Sequence, residues 1–265
     1  MAISRSDCAA LILAGGKSSR MGRCKALLPL EGRTFLQRLT GALDGFPHLY
    51  LSANDPALAR GFPGTAVADR YAGAGPLAGL HAALSASRWP YLFCVPCDLP
   101  LLPASLAQPM LDAFPEGCDA LVCVDSTGRR HPLCGIYART ALPALEAQLA
   151  AGEFRVQGLL SRLRCTWFDA GAWVDDRAFT NLNTPEDYQQ LLTHPRAKAP
   201  PPPGTPGGGR FSADRPAAAG RPGTPAPRRA GWCGRTPHPR RLRPPARCGR
   251  PGREKTPGTP PPGPR

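Results

Sequence analysis

Ala9-Ala10-Leu11-Ile12-Leu13-Ala14-Gly15-Gly16-Lys17-Ser18-Ser19-Arg20-Met21-Gly22-Arg23-Cys24-Lys25 is the stretch that decides how this chain is read. Its first five residues form a continuous apolar run without the polar alternation of a half-exposed strand, which predicts a strand buried on both faces. Strands of that kind belong to parallel sheets covered by helices. The following segment holds three glycines and four basic side chains. Glycine lets the backbone approach a ligand closely, and N–H groups with cations supply what phosphate oxygens require. A strand running into such a loop is a cradle of triphosphate size. Gly16-Lys17-Ser18 imitates the end of a P-loop, but the glycine needed five positions earlier is Leu11, and G-x-G-x-x-G is absent; both of those motifs are excluded.

Outward from this loop, strand-like and helix-like segments alternate, the pattern of an α/β domain with a mostly parallel sheet. Thr34 is a candidate N-cap for a helix carrying Phe35, Leu36, Leu39 and Leu43, which Gly45 can end. Strands are expected over 48–53, 90–96, 120–124 and 133–138, with a short segment at 65–68 and a late strand around Trp167 and Phe168. Helices are expected over 76–87, 103–114, 141–150 and 156–163. Thr184-Pro185-Glu186-Asp187 opens a last helix with a cap, a first-turn proline and two acids well placed for the helix dipole.

Composition sets the boundary. The chain of 265 residues has a net charge of +14, yet residues 196–265 alone hold 16 basic and 2 acidic side chains, 19 prolines and 12 glycines, so residues 1–195 are neutral. The 196–265 stretch has no Val or Ile and a single Leu, which predicts a disordered basic tail beside one folded domain over 1–195. Pro, Gly, Ala and Arg dominate the tail, and all four have codons made only of G and C; out-of-frame reading of GC-rich DNA gives this composition. A nucleic-acid reading would rest on the tail, where aromatic interleaving is reduced to Phe211 and Trp232, and is set aside. The early apolar run is too short to span a bilayer and no cleavage site follows it, so a cytoplasmic protein without a membrane partner is expected. The eight cysteines of residues 1–195 are read as reduced, and Cys94-x-x-Cys97 as packing at a strand end, because no second pair completes a metal site.

Asp98 directly follows the apolar strand 90–96. In open α/β sheets ligands bind beyond the carboxyl ends of strands, so Asp98 and the glycine loop should share one edge. A carboxylate beside a polyphosphate is a natural Mg²⁺ ligand; the plainer role for Asp98 is a helix cap ahead of Pro103. Asp69, before Gly73-Ala74-Gly75-Pro76, and Asn181-Leu182-Asn183, before the last helix, fall at the same edge.

Leu13-Ala-Gly-Gly-x-x-x-Arg20-Met21-Gly22-x-x-Lys25, Asp69, Gly75-Pro-Leu-Ala-Gly79, Pro96-Cys-Asp98-x-Pro100, His131-Pro132 and Asn181-x-Asn183-Thr-Pro-Glu186 together resemble the ordered motifs of molybdenum cofactor guanylyltransferases, across residues 8–192. The resemblance implies a Rossmann-like, three-layer nucleotidyltransferase domain and the reaction of GTP with Mo-molybdopterin to give the guanine dinucleotide cofactor and pyrophosphate. It implies nucleotide contacts by Leu13, Ala14, Gly15, Gly16, Lys25, Ser52, Asp69 and Asp98, and catalytic roles for Arg20, Lys25 and Asp98, with Lys25 on the phosphates and Asp98 holding Mg²⁺. His131, Asn181 and Asn183 become candidates for the second substrate. Other molybdenum cofactor biosynthesis proteins and recipient molybdoenzymes are the implied partners. Two positions depart from the pattern: Ser52 stands in place of Asn, and Cys24 in place of Asp or Asn before Lys25. A sister enzyme of the same fold that uses CTP or activates a different phosphorylated substrate is the nearest alternative; relatives that use CTP on molybdopterin tend to carry Ala-Ala-Gly where this chain has Ala14-Gly15-Gly16. A phosphomonoester attacking GTP is already ionised at neutral pH, its second pKa being about 6, so the absence of a Ser/His/Asp or paired-carboxylate constellation agrees with this chemistry.

Overall fold

The computed structural model describes residues 3–15, 24–53 and 55–193, all within one compact unit. Gly16, Arg20 and the whole 196–265 stretch, on which three of the expectations above fall, lie outside the described residues.

A 3-10 turn, Arg5–Asp7, leads into β1 (Cys8–Leu13), and all six residues of the strand are buried, as expected of a strand covered on both faces. A short hairpin of β2 (Pro29–Leu30) and β3 (Arg33–Thr34) leads into α1 (Phe35–Ala42), where Thr34 and Gln37 form a reciprocal capping box. Then follow β4 (Leu49–Ser52), α2 (Pro56–Ala59), β5 (Thr65–Val67), α3 (Pro76–Ala86) and β6 (Tyr91–Pro96). The second half contains α4 (Ala107–Asp112), β7 (Ala120–Val124), β8 (Arg130–Ala138), α5 (Leu142–Ala150), α6 (Val156–Leu160), β9 (Cys165–Asp169) and α7 (Pro185–Thr193).

Seven strands form one sheet in the order β5-β4-β1-β6-β8-β7-β9. Six run in the same direction, and β8 is antiparallel to both its neighbours. Alternate residues of β1 enter opposite cores. Cys8, Ala10 and Ile12 meet Leu36 and Leu39 of α1 and Met110 and Leu111 of α4, while Ala9, Leu11 and Leu13 meet Leu77, Leu80 and Leu84 of α3 and Leu145 and Leu149 of α5. The result is the helix–sheet–helix sandwich anticipated from the pattern, of the three-layer Rossmann-like kind. None of the described helices is long and apolar enough to cross a membrane. The eight cysteines of the described residues are free thiols.

Three local expectations are corrected. The helix expected over 103–114 is a 3-10 turn, Ala104–Leu106, followed by α4. Pro109 lacks the N–H that a continuous α-helix would use there, so the α-helix restarts with proline in its first turn. The helix expected to reach Leu163 stops at Leu160, where the Ser161 hydroxyl bonds the Gly158 carbonyl at 2.9 Å. The strand expected to begin at Leu133 begins at Arg130, so His131-Pro132 lies inside β8. The β7–β8 register breaks between Val122 and Cys123, and that irregularity accommodates a proline with no ladder hydrogen to give.

Candidate active site

β1 connects towards β4 on one side and β6 towards β7 on the other, so the loops after Leu13 and Pro96 part at a topological switch point. The crevice of an open α/β sheet forms there. The two loops are stitched together by the Cys97 N–H donating to the Leu13 carbonyl at 2.9 Å, and the Ala14 N–H reaches the Ser52 carbonyl at 2.8 Å. Leu13 and Ser52 are buried at the floor. Gly79 of α3 is required there: a Cβ on it would lie 2.7 Å from Ser52 Cβ and 2.8 Å from Leu13 Cδ2. The Ser52 hydroxyl donates to Asp69 Oδ1 at 3.3 Å, and burial raises the Asp69 carboxyl above its ordinary range against the pull of that bond.

Lys25 opens the 3-10 turn Lys25–Leu27, and its Nζ donates to Asn183 Oδ1 at 2.8 Å. Two sequence-predicted residues 158 positions apart are thus joined. The joint is secured from both sides. Asp187 of α7 accepts the backbone N–H groups of Asn183 and Thr184 at 2.9 and 2.8 Å, which hold its carboxyl below the usual range. Tyr188 donates to the Pro29 carbonyl at 2.6 Å and meets Phe35 edge-on, packing α7 against the segment that carries Lys25.

Asp98 occupies the turn after β6 and is half-buried. It caps no helix, since Pro103 holds the N-cap position of the following turn. Burial raises its carboxyl, and the Lys25 charge opposes that rise. Its carbonyl accepts the Leu182 N–H at 3.3 Å, which brings the Asn181–Asn183 segment to the same edge. The neighbouring Cys97 thiol is pushed up to about 12, chiefly by burial, so it is no thiolate nucleophile at neutral pH.

Asp98, His131 and Asn181 line one cleft of about 220 Å³, with Leu99, Leu133 and Val156 as apolar wall and Arg129 at the rim. His131 Nε2 is 2.8 Å from Asp125 Oδ2, and its ring stacks on Phe179 at 4.4 Å. Asp125 was missed in the sequence. It follows an apolar strand as Asp69 and Asp98 do, and the same strand-then-aspartate signal would have found it. Arg129 and Phe179 carry no comparable signal, because their place at the cleft depends on segments distant in the chain, whereas Asp187, expected as a first-turn acid, does its work locally at the cap of α7.

A glycine-lined switch point, a lysine and the half-buried carboxylates Asp69 and Asp98, on a sheet wound this way, define an α/β enzyme that works on nucleoside triphosphates, of the nucleotidyltransferase class. The chain belongs to the MobA-like NTP transferase family, whose model matches residues 10–166. It is 38% identical over 183 residues to the molybdenum cofactor guanylyltransferase of Cereibacter sphaeroides, covering 67% of this chain and 91% of that protein. It is 35% identical over 187 residues to a probable molybdenum cofactor guanylyltransferase of Carboxydothermus hydrogenoformans, covering 68% and 93%. Among solved structures, the molybdopterin-guanine dinucleotide biosynthesis protein A of Archaeoglobus fulgidus superposes with a TM-score of 0.62 at 23% identity, covering 70% of this chain and 97% of that one. A CMP-2-keto-3-deoxy-manno-octonic acid synthetase complexed with CTP superposes at 0.54 with 15% identity, a likeness of fold alone.

Proposed function

We propose that this protein transfers GMP from GTP to Mo-molybdopterin, giving molybdopterin guanine dinucleotide and pyrophosphate. The carrying observation is that its likeness to proteins named molybdenum cofactor guanylyltransferase extends over 91% of the Cereibacter sphaeroides protein and 98% of a Geobacillus one. The same stretch of this chain brings Lys25, Asn183 and Asp98 to one edge.

In this reading the phosphomonoester oxygen of the second substrate bonds to the α-phosphorus of GTP as the bond to the bridging oxygen of pyrophosphate breaks. The nucleophile is already an anion, so no side chain need take a proton. Leu13, Ala14, Gly15, Ser52 and Asp69 seat the nucleotide, with Gly16 and Arg20 continuing the loop. Lys25 neutralises phosphate oxygens, and Asn183 holds its ammonium in place before substrate arrives. Asp98 suits Mg²⁺: it is a half-buried carboxylate whose charge burial disfavours, and no cluster of three His, Cys, Asp or Glu side chains stands among the described residues, as for a metal that takes its other ligands from phosphate and water. Bound there, the metal would supply charge neutralisation on the phosphates. Other molybdenum cofactor biosynthesis proteins would deliver the second substrate, and recipient molybdoenzymes would take the product, in the cytoplasm.

The test is to incubate the protein with Mg²⁺, molybdopterin and either GTP or CTP and to look for the dinucleotide by mass. A guanine product is expected. A cytosine product alone would move the protein to the sister activity.

A further inference from the structure

We propose that the tip of the β7–β8 hairpin is an anion-binding arm in which Arg129 takes the phosphomonoester of the second substrate, while the buried Asp125–His131 pair positions it. The proposal rests on the reading of function above and assigns the second-substrate side of that site. Hairpin tips are ordinarily mobile surface. This one is fixed from within. Asp125, only 7% exposed, accepts at Oδ1 from the Thr127 N–H at 3.0 Å, the Thr127 hydroxyl at 2.6 Å and the Arg129 N–H at 2.9 Å, and pairs at Oδ2 with His131 Nε2. Burial alone would raise this carboxyl, but those donors hold it down at about 2. It is therefore an anion at neutral pH, and Nε2 of His131 carries its hydrogen. Asp176 fixes the tip a second time by accepting the Ser126 N–H at 2.9 Å, and Gly128, at φ 85°, lets the turn close.

Arg129 leaves this braced turn at the rim of the cleft lined by Asp98. Its neighbour Arg130 lays its guanidinium 4.1 Å from the Trp167 ring centroid. The Arg129 guanidinium makes no hydrogen bond or ion pair among the described residues, and its backbone is the part tied to Asp125. A guanidinium unpaired among the described residues, carried on a braced backbone in a cleft that also has an apolar wall, fits a ligand with a flat, weakly polar body and a phosphate at one end. The nucleotide residues Leu13, Ser52, Asp69 and Lys25 do not line this cleft, whereas Asp98 does. The carboxylate thus stands where the two substrates would meet.

The experiment compares Arg129→Ala, Arg129→Lys and Asp125→Asn with the parent chain, using transfer kinetics and a binding readout that needs no turnover. In kinetics, Arg129→Ala should raise KM for molybdopterin about 10- to 100-fold, the scale of a lost charged hydrogen bond, with kcat and the GTP-induced melting shift unchanged. Arg129→Lys should recover part of the loss. In binding, inorganic phosphate is titrated into ¹⁵N-labelled protein holding a non-cleavable GTP analogue. A saturable shift of the Arg129 Nε signal is expected in the parent and a weaker one in Asp125→Asn; should that variant not fold, His131→Gln, which retains a donor for Asp125, takes its place. An unchanged KM in Arg129→Ala, no phosphate response in the parent, or a GTP melting shift lost together with phosphate binding would each overturn the proposal. If the parent binds phosphate through Arg129 but forms no dinucleotide, the anion arm stands and the reading of function fails.

Discussion

The two halves of the sheet reach the same edge by different routes. In β5-β4-β1-β6 every strand is parallel, so each delivers its following loop to the carboxyl edge, and Ala14-Gly15, Ser52, Asp69 and Asp98 assemble there by direction alone. In β8-β7-β9 the central strand is reversed. Because β7 runs with β6, the end of β7 and the start of β8 meet at that edge as a hairpin, and Asp125 and His131 arrive from opposite strands. The parallel half builds a site from strand ends and glycine loops; the mixed half builds its wall from one braced turn. On the proposed reading, the difference makes nucleotide handling and recognition of the second substrate separable in this molecule, with Asp98 where they would join.

That separation can be broken most severely at the join. Asp98→Asn should abolish transfer in a steady-state assay, since the amide keeps the shape but loses the charge for the metal. The melting temperature should not fall, because the substitution removes a carboxylate whose ionisation burial already disfavours. The raised Asp98 carboxyl also sets a sign: on acidification it takes up its proton at a higher pH than an ordinary aspartate, so Mg²⁺-dependent GTP stabilisation should decline before the bulk of surface carboxylates titrate. Turnover near normal in Asp98→Asn would leave the two halves without their shared group.

Lys25→Ala should lower the rate about 10²- to 10³-fold, the range for loss of one preorganised charge-stabilising donor. Asn183→Ala, which frees the Lys25 ammonium without removing it, should cost less; equal losses would make Asn183 a direct contact.

In the mixed half, loss of either buried aspartate, Asp125 or Asp119, should act on stability. Asp125→Ala should destabilise by about 1–3 kcal/mol, because it leaves buried donors unpaired, while the GTP melting shift persists. Asp119, bridged to Arg164 and Thr140, and Asp125 are both held at about 2. Their contribution is present above the unfolded value near ~3.9 and is lost as pH falls through about 2. Thermal unfolding between those values should show a steeper pH slope in the parent than in Asp119→Asn. The smallest effect is expected from removing residues 196–265: melting temperature and transfer should be unchanged, with the isoelectric point falling from 9.9. Loss of transfer on truncation would extend the site beyond the two halves of the sheet.

The parallel half was largely legible in the sequence, because its elements are set by continuous apolar runs closed by glycine, and its site residues sit immediately after strands. β1 and β6 fall within a residue or two of the pattern, and Thr34 caps α1 through the reciprocal bonds its sequence context offers. The reversed β8 was not legible: its run reads the same in either direction, and direction is decided by which neighbours it pairs with. The β2–β3 hairpin, of two residues a strand, is too short to leave a period.

By itself the sequence determined the fold class, the glycine loop, the aspartates after strands and the uneven distribution of charge, all of which are local in the chain and governed by backbone freedom, burial and composition. Only the tertiary structure decided which of these residues meet. Lys25 and Asn183 are 158 positions apart, and His131 of β8 finds Asp125 just after β7 and Phe179 beyond β9. Such contacts follow from strand order and from helices closing over both faces of the sheet, which are properties of the packed core as a whole and leave no mark on any single segment.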